Sequence, residues 1–309
     1  MNNRKAFTLV ELLTSVIIIA LLLGLLLPSI SMVRTKSKET AQKAQFATIS
    51  MALEAFKQDY GDYPPSGEFE GLNTTTGLPY NGGQKLTEAL LGWDLAGFHP
   101  KTAWRRDGLD ASSGISTYDP CRADPDPTRT LRERKGPYLD VAKTPVFRLG
   151  TSNAAANDGL YNSATNTNFA AVFNSTVPNY VICDVFGVKK LTIPHGTQNA
   201  TATAGTPILY YKADTSYKTF TCLPRKWPTS MYKYTDNIDL INLGILPNAT
   251  KAHTLSTNVM YFCYPEYKIM DTRVPSTSNG SWPNRPDTFI LISAGADHEF
   301  GTNDDILNF

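Results

Sequence analysis

The hydrophobic pattern begins with one long apolar run, followed by a segment with a single apolar face. Residues 7–27 are apolar with few polar interruptions. As a helix, these 21 residues span about 31 Å, which is the thickness of a bilayer's hydrocarbon core. The pattern predicts a membrane-spanning helix over 7–27, preceded by a short polar segment, residues 1–6, that carries Arg4 and Lys5.

The same helix is expected to continue beyond the membrane. Pro28 interrupts the run, but proline more often kinks than ends a helix whose flanks both have helical character. Residues 28–60 are amphipathic, and their apolar stripe has the 3, 4, 3, 4 spacing of one helix face: Phe46, Ile49, Leu53, Phe56 and Tyr60. Gly61 and the following prolines are typical of a helix end. The pattern therefore predicts one helix over 7–60.

The remainder of the chain, residues 61–309, shows short strand signals separated by long irregular stretches. β-branched and aromatic residues cluster at four places, namely 180–183, 207–212, 259–264 and 288–292. The stretches 94–135 and 151–176 have the composition of loops, and 213–285 is interpreted as an insertion. We expect an α+β fold in which a small antiparallel sheet packs on the amphipathic half of the long helix, with large loop insertions.

Composition and charge narrow the functional classes. The net charge is +1, which implies no general attraction to nucleic acid. The four cysteines allow three disulfide pairings, and none of these is favoured by spacing. No catalytic or phosphate-binding motif is present, and the four histidines are scattered in polar loops. We therefore predict that the protein is not an enzyme.

One acid lies inside the apolar run. Glu11 is four residues beyond Phe7, at a depth where a carboxylate costs about 2.5–3.5 kcal/mol. A charge in this position needs a partner. A secretory signal peptide, with Ser29-Ile30-Ser31 as its cleavage site, would have a shorter apolar region, and an ordinary membrane anchor does not explain Glu11.

The stretch Ala6-Phe7-Thr8-Leu9-Val10-Glu11 resembles the leader site of type IV pilins and type II secretion pseudopilins. The resemblance implies that a prepilin peptidase/methyltransferase removes residues 1–6, cutting between Ala6 and Phe7 and methylating Phe7. It also implies that Glu11 receives the new amino group of a neighbouring subunit during assembly. Ala6 stands where the family usually has glycine.

The C-terminal segment 293–309 contains three aspartates and two glycines, Gly295 and Gly301, and the aspartates would repel one another in a closed loop without a cation. Calcium suits such a loop, because it takes about 6–8 oxygen ligands. The segment is similar to the closing segment of the type II secretion major pseudopilin, with His298 in place of glycine and Phe309 in place of tryptophan. That resemblance implies a calcium ion held by Asp297, Asp304 and Asp305.

Together these features lead to the interpretation of a subunit of the type II secretion pseudopilus, similar to the major pseudopilin but with an enlarged globular domain. The expected partners are copies of itself in a helical filament, other pseudopilins and the inner-membrane secretion platform. The expected location is the bacterial inner membrane, with a single span and residues 61–309 in the periplasm. Two alternatives stay open: a type IV pilin of a surface pilus serving adhesion or DNA uptake, and a membrane-anchored extracytoplasmic binding protein.

Overall fold

The structure is a computed structural model. It describes residues 8–67, 80–102, 104, 118, 131–151, 159–162, 180–195, 198–216, 231–247, 249, 251–257, 269, 271 and 283–309. The chain forms two compact units, residues 1–41 and 42–309. They divide within the long helix, whereas the domain boundary expected at residue 60 stays a prediction.

The long helix α1 runs from Leu9 to Tyr60 and continues through position 28. It ends where glycine allows the backbone to turn: Gly61 has φ +87°, and its N–H donates to the Lys57 carbonyl at 2.7 Å. The apolar side chains of its first part are exposed, from 51% for Leu23 to 80% for Leu9. α1 is the one helix in the described residues that is long and apolar enough to cross a membrane.

The second part of α1 forms one side of a core. Phe46, Ile49, Leu53 and Phe56 are at most 2% exposed, which confirms the predicted stripe. They share this core with α2 (Gly82–Leu91) and with strand residues that include Tyr210, Phe289 and Leu291. Burying each of these side chains contributes about 1.5–3 kcal/mol through removal of apolar surface from water.

Eight strands follow α2 in the described residues: β1 (Val146–Thr151), β2 (Gly159–Asn162), β3 (Tyr180–Ile182), β4 (Lys189–His195), β5 (Gln198–Ala204), β6 (Leu209–Lys212), β7 (Phe289–Ser293) and β8 (Ile306–Leu307). They form three small sheets with the orders β2-β1-β3, β4-β5 and β6-β7-β8. All pairs are antiparallel except β1 with β2, which is parallel.

The central strand β7 is buried on both faces. Phe289 and Leu291 face the core shared with α1 and α2, while Ile290 and Ile292 belong to a second core. This division follows from the alternation of side chains along a strand. The second core also contains Leu240 and Ile241 of a short helix, α3 (Ile238–Asn242).

The predicted α+β fold is therefore confirmed, with differences in detail. The strand signals at 180–183, 207–212 and 288–292 correspond to β3, β6 and β7, and the signal at 259–264 lies outside the described residues. The interpretation of 151–176 as one surface loop is wrong, because β2 lies within it and Leu160 is fully buried. Leu160 and Tyr161 of β2 pack in the second core. The composition of 151–176, which is mostly small and polar, does not predict this contact.

Two buried acids fix the connections around α2 and β3. Glu88 accepts hydrogen bonds from the hydroxyls of Tyr80 at 2.5 Å, Thr102 at 2.5 Å and Tyr118 at 2.9 Å. Burial raises the pKa of Glu88. Asp184 accepts from the Ser293 hydroxyl at 3.0 Å, which joins the segment after β3 to the end of β7.

One of the four cysteines can be placed. Cys183 is a buried free thiol directly after β3, and burial raises its pKa well above the usual range. Cys121, Cys222 and Cys263 lie outside the described residues. Whether those three cysteines form disulfides stays open.

Candidate functional sites at the helix start and the C-terminal loop

The first turn of α1 is closed by its own side chains. The carboxylate Oε2 of Glu11 accepts hydrogen bonds from the backbone N–H of Thr8 at 2.9 Å and from the Thr8 hydroxyl at 2.8 Å. In return, the Glu11 N–H donates to the Thr8 hydroxyl oxygen at 3.3 Å. This reciprocal arrangement is a capping box, and it satisfies donors that a helix start leaves without intrahelical partners.

The capping box adds a second role for Glu11 to the one expected from the sequence. The sequence carries the signature of this motif as Thr8-x-x-Glu11, from which the capping box could be predicted. Ala6 and Phe7, the expected processing and methylation residues, lie outside the described residues. Their roles stay predictions, as does the pairing of Glu11 with a neighbouring subunit.

The C-terminal loop is the connection between β7 and β8. Ser293 and Ile306 pair across the two strands, so residues 294–305 form a hairpin loop. Its path needs three residues in the left-handed region: Gly295 at φ +70°, His298 at φ +62° and Gly301 at φ +95°. Only glycine adopts this conformation without steric cost, although histidine is among the side chains that tolerate it best.

Asp297 and Asp304 meet inside this loop. The Asp304 Oδ2 accepts hydrogen bonds from the backbone N–H groups of Ala296 at 2.8 Å and Asp297 at 3.0 Å, and its Oδ1 accepts from the Thr302 hydroxyl at 2.5 Å. The Asp297 Oδ1 accepts from the Glu299 N–H at 2.8 Å. Burial and the neighbouring Asp304 carboxylate raise the pKa of Asp297.

Asp305 is placed differently from the other two aspartates. Its side chain is 4% exposed, and its Oδ2 accepts the Gly301 N–H at 2.8 Å, across the end of the loop. Within the described ranges, no three histidine, cysteine, aspartate or glutamate side chains are grouped so as to hold a metal ion. Calcium binding by Asp297, Asp304 and Asp305 stays a prediction.

Comparison with known proteins identifies one feature of the chain. Residues 1–27 match the family model described as a prokaryotic N-terminal methylation motif. No curated protein and no solved structure matches the chain.

The matched segment covers the expected cleavage site, Thr8, Glu11 and the apolar run up to Leu27. Such a motif implies processing by a prepilin peptidase and assembly into pilin-like filaments. The apolar helix that begins within this segment agrees with a membrane-anchored protein. The chain thus carries a prokaryotic N-terminal methylation motif on an apolar helix, which indicates a type IV pilin-like protein.

Proposed function

We propose that the protein is a structural subunit of a type II secretion pseudopilus, a periplasmic filament that assists protein export. The observation that carries this proposal is the first part of α1, which lies within the methylation motif and whose large apolar side chains are 51–80% exposed. Such a surface requires lipid before assembly and the helices of other subunits after it. The similarity of segment 293–309 to the major pseudopilin favours the pseudopilus over a surface pilus.

Assembly would use the one acid of the apolar run. Among the described residues, both donors of Thr8 bond to Oε2 of Glu11, and this arrangement leaves Oε1 for an incoming group. After cleavage, Phe7 would carry a cationic amine, and a neighbouring copy displaced along the filament would present that amine to Glu11. The pairing offsets the cost of placing both charges in an apolar environment.

The expected location follows from the same features. The protein would cross the inner membrane once through α1, with the unit that contains the sheets in the periplasm. Its partners would be further copies of itself, other pseudopilins, the inner-membrane secretion platform and the prepilin peptidase/methyltransferase. Calcium at residues 293–309 is a separate prediction, on which this proposal does not depend.

Two measurements test the proposal. Mass spectrometry of the protein from its native membrane should find a mature N-terminus at Phe7 with one added methyl group. Deletion of the gene should abolish export of the secreted proteins and leave surface fibres unchanged. Loss of surface fibres with intact export would favour the type IV pilus, and an uncut monomer that begins at Met1 would favour the membrane-anchored binding protein.

A further inference from the structure

A segment distant in sequence lies against the C-terminal loop. We call residues 251–257 the strap. The Leu255 N–H donates to the Phe300 carbonyl at 2.9 Å, and the Phe300 N–H donates to Nδ1 of His253 at 3.0 Å. All three side chains are at most 1% exposed, and the rings of His253 and Phe300 lie 4.9 Å apart. The strap and the loop therefore form one packed contact.

The strap also supplies donors to an acid of the loop. The Lys251 ammonium lies 2.8 Å from Oε2 of Glu299, and Oε1 of Glu299 accepts from the Thr254 N–H at 3.2 Å and from its hydroxyl at 2.5 Å. The Glu299 side chain is 15% exposed and that of Lys251 67%, so water screens the ion pair from the lysine side. Charge-assisted hydrogen bonds of this kind are stronger than neutral ones.

The electrostatics of the loop explain why these donors matter. Segment 293–309 contains four acids, Asp297, Glu299, Asp304 and Asp305, and no lysine or arginine. Each of the three aspartates accepts at least one backbone N–H from the loop itself. Glu299 is the acid whose carboxylate is bonded by the strap, and Lys251 brings a full positive charge beside it.

We propose that the strap closes the C-terminal loop and that Lys251 places a cation beside its acids, so that the loop reaches its fold whether or not a metal ion binds. Each aspartate accepts at least one N–H group of the loop, and the strap donates to Glu299. Part of the insertion thereby has a role, because it brings the strap to the loop.

Hydrogen exchange of the full-length protein in detergent tests the proposal. Mass spectrometry would follow the peptides that contain the Phe300 and Gly301 amides, with a chelator and with millimolar calcium chloride. We expect equal protection under both conditions. The Lys251→Met variant should exchange about threefold faster in these peptides, and the Lys251→Met/Thr254→Val double variant about tenfold faster, because donors to Glu299 are lost.

Two control variants distinguish the contribution of Lys251 to the loop from the effect of removing any surface lysine. Lys251→Arg keeps the positive charge, and its Phe300 and Gly301 amides should exchange as slowly as those of the native protein. Lys143→Met removes an exposed ion pair with Asp140, 3.3 Å long, and should leave the loop unchanged. Faster exchange of the native loop in chelator would overturn the proposal, since the metal would then be required. Unchanged exchange in the double variant would overturn it too, since the strap would then contribute nothing.

Discussion

Thr8 and Glu11 bond to each other in both directions at the start of α1, at 2.8 Å between the hydroxyl and the carboxylate and 3.3 Å between the Glu11 N–H and the hydroxyl oxygen. Glu11 can therefore act in two ways, as a capping residue within its own helix and as a charge for a neighbouring subunit. The two roles require different properties of the side chain. Capping needs an acceptor at this position, whereas pairing with an amine needs a negative charge.

Replacement of Glu11 distinguishes these roles. We expect Glu11→Leu to insert into the membrane normally, because the substitution removes a charge from the apolar run, but to abolish filament assembly. Glu11→Gln keeps a capping acceptor and loses the charge, and it should fail to assemble as well. Membrane fractionation would measure insertion, and electron microscopy of filaments from an overproducing strain would measure assembly.

Thr8→Val provides the control for this series. It removes the hydroxyl of the capping box and leaves the Glu11 charge, at a cost of about 0.5–2 kcal/mol to the helix start. Filaments should still form. If Glu11→Gln assembles normally while Thr8→Val does not, Glu11 acts through capping, and the proposed pairing between subunits is wrong.

Processing at Ala6 gives a second prediction. In the proposed processing a small residue precedes the cut, so Ala6→Gly should be processed at least as completely as the native chain. Ala6→Leu should keep residues 1–6 and should not assemble, because Phe7 would lack its free amine. Mass spectrometry of the intact protein distinguishes the two forms by the mass of the leader. Complete cleavage of Ala6→Leu would contradict the expected site.

The core of the larger unit provides a third prediction. Leu53 of α1 is fully buried in the core shared with α2 and the sheet β6-β7-β8, so Leu53→Ala should lower the free energy of unfolding by about 2–5 kcal/mol through lost burial and a cavity. Met51 lies two residues away, with 66% of its surface exposed, and Met51→Ala should change stability by less than about 0.5 kcal/mol. Thermal unfolding by circular dichroism in detergent compares the two, and equal effects would contradict the assigned face.

The sequence predicted those helices and strands whose hydrophobic pattern lies within a single segment. The stripe from Phe46 to Phe56 needs only helical spacing, and β7 needs only a run of β-branched and aromatic residues, so both could be predicted. β5, with its alternating Thr and Ala residues, has no aromatic or large aliphatic side chain. It was missed because the hydrogen bonds to β4, and not its own composition, define it as a strand.

At the candidate sites, too, contacts between distant segments could not be predicted from the sequence. The three aspartates of the loop are close in sequence, but Asp305 differs from Asp297 and Asp304 in burial and bonds to the Gly301 amide. The contact between Lys251 and Glu299 joins positions 48 residues apart, so the sequence around either residue does not predict it. Sequence similarity could suggest a ligand set, but it could not predict which donors the folded chain would place beside those acids.

The backbone of the C-terminal loop gives a fourth prediction. Gly295 has φ +70°, and a Cβ atom added there would lie 2.4 Å from the Asp304 carbonyl oxygen. Gly295→Ala should therefore destabilise the protein by more than about 1 kcal/mol, through both the left-handed conformation and the clash. His298→Gly is the counterpart, because it removes a side chain at φ +62° without creating a clash, and it should change stability by less than about 1 kcal/mol. Thermal unfolding measures both, and a neutral Gly295→Ala would contradict the described path of the loop.

Protonation of His253 gives the last prediction. Burial lowers the pKa of His253 to about 4, against 6.5 for an ordinary histidine, and its Nδ1 accepts the Phe300 N–H at 3.0 Å. As the pH falls, His253 is protonated in the unfolded chain before it is protonated in the folded protein. The free energy of unfolding therefore has its full contribution from His253 above pH 6.5 and loses about 3 kcal/mol of it by pH 4. In His253→Asn, an amide oxygen can accept the same N–H without titrating. The unfolding free energies of the native protein and the variant would be measured in detergent from pH 7 to pH 4. As the pH falls, the native protein should lose more stability than the variant. A constant difference across that range would show that the pKa of His253 is the same in the folded and unfolded protein, against its burial between the strap and the loop.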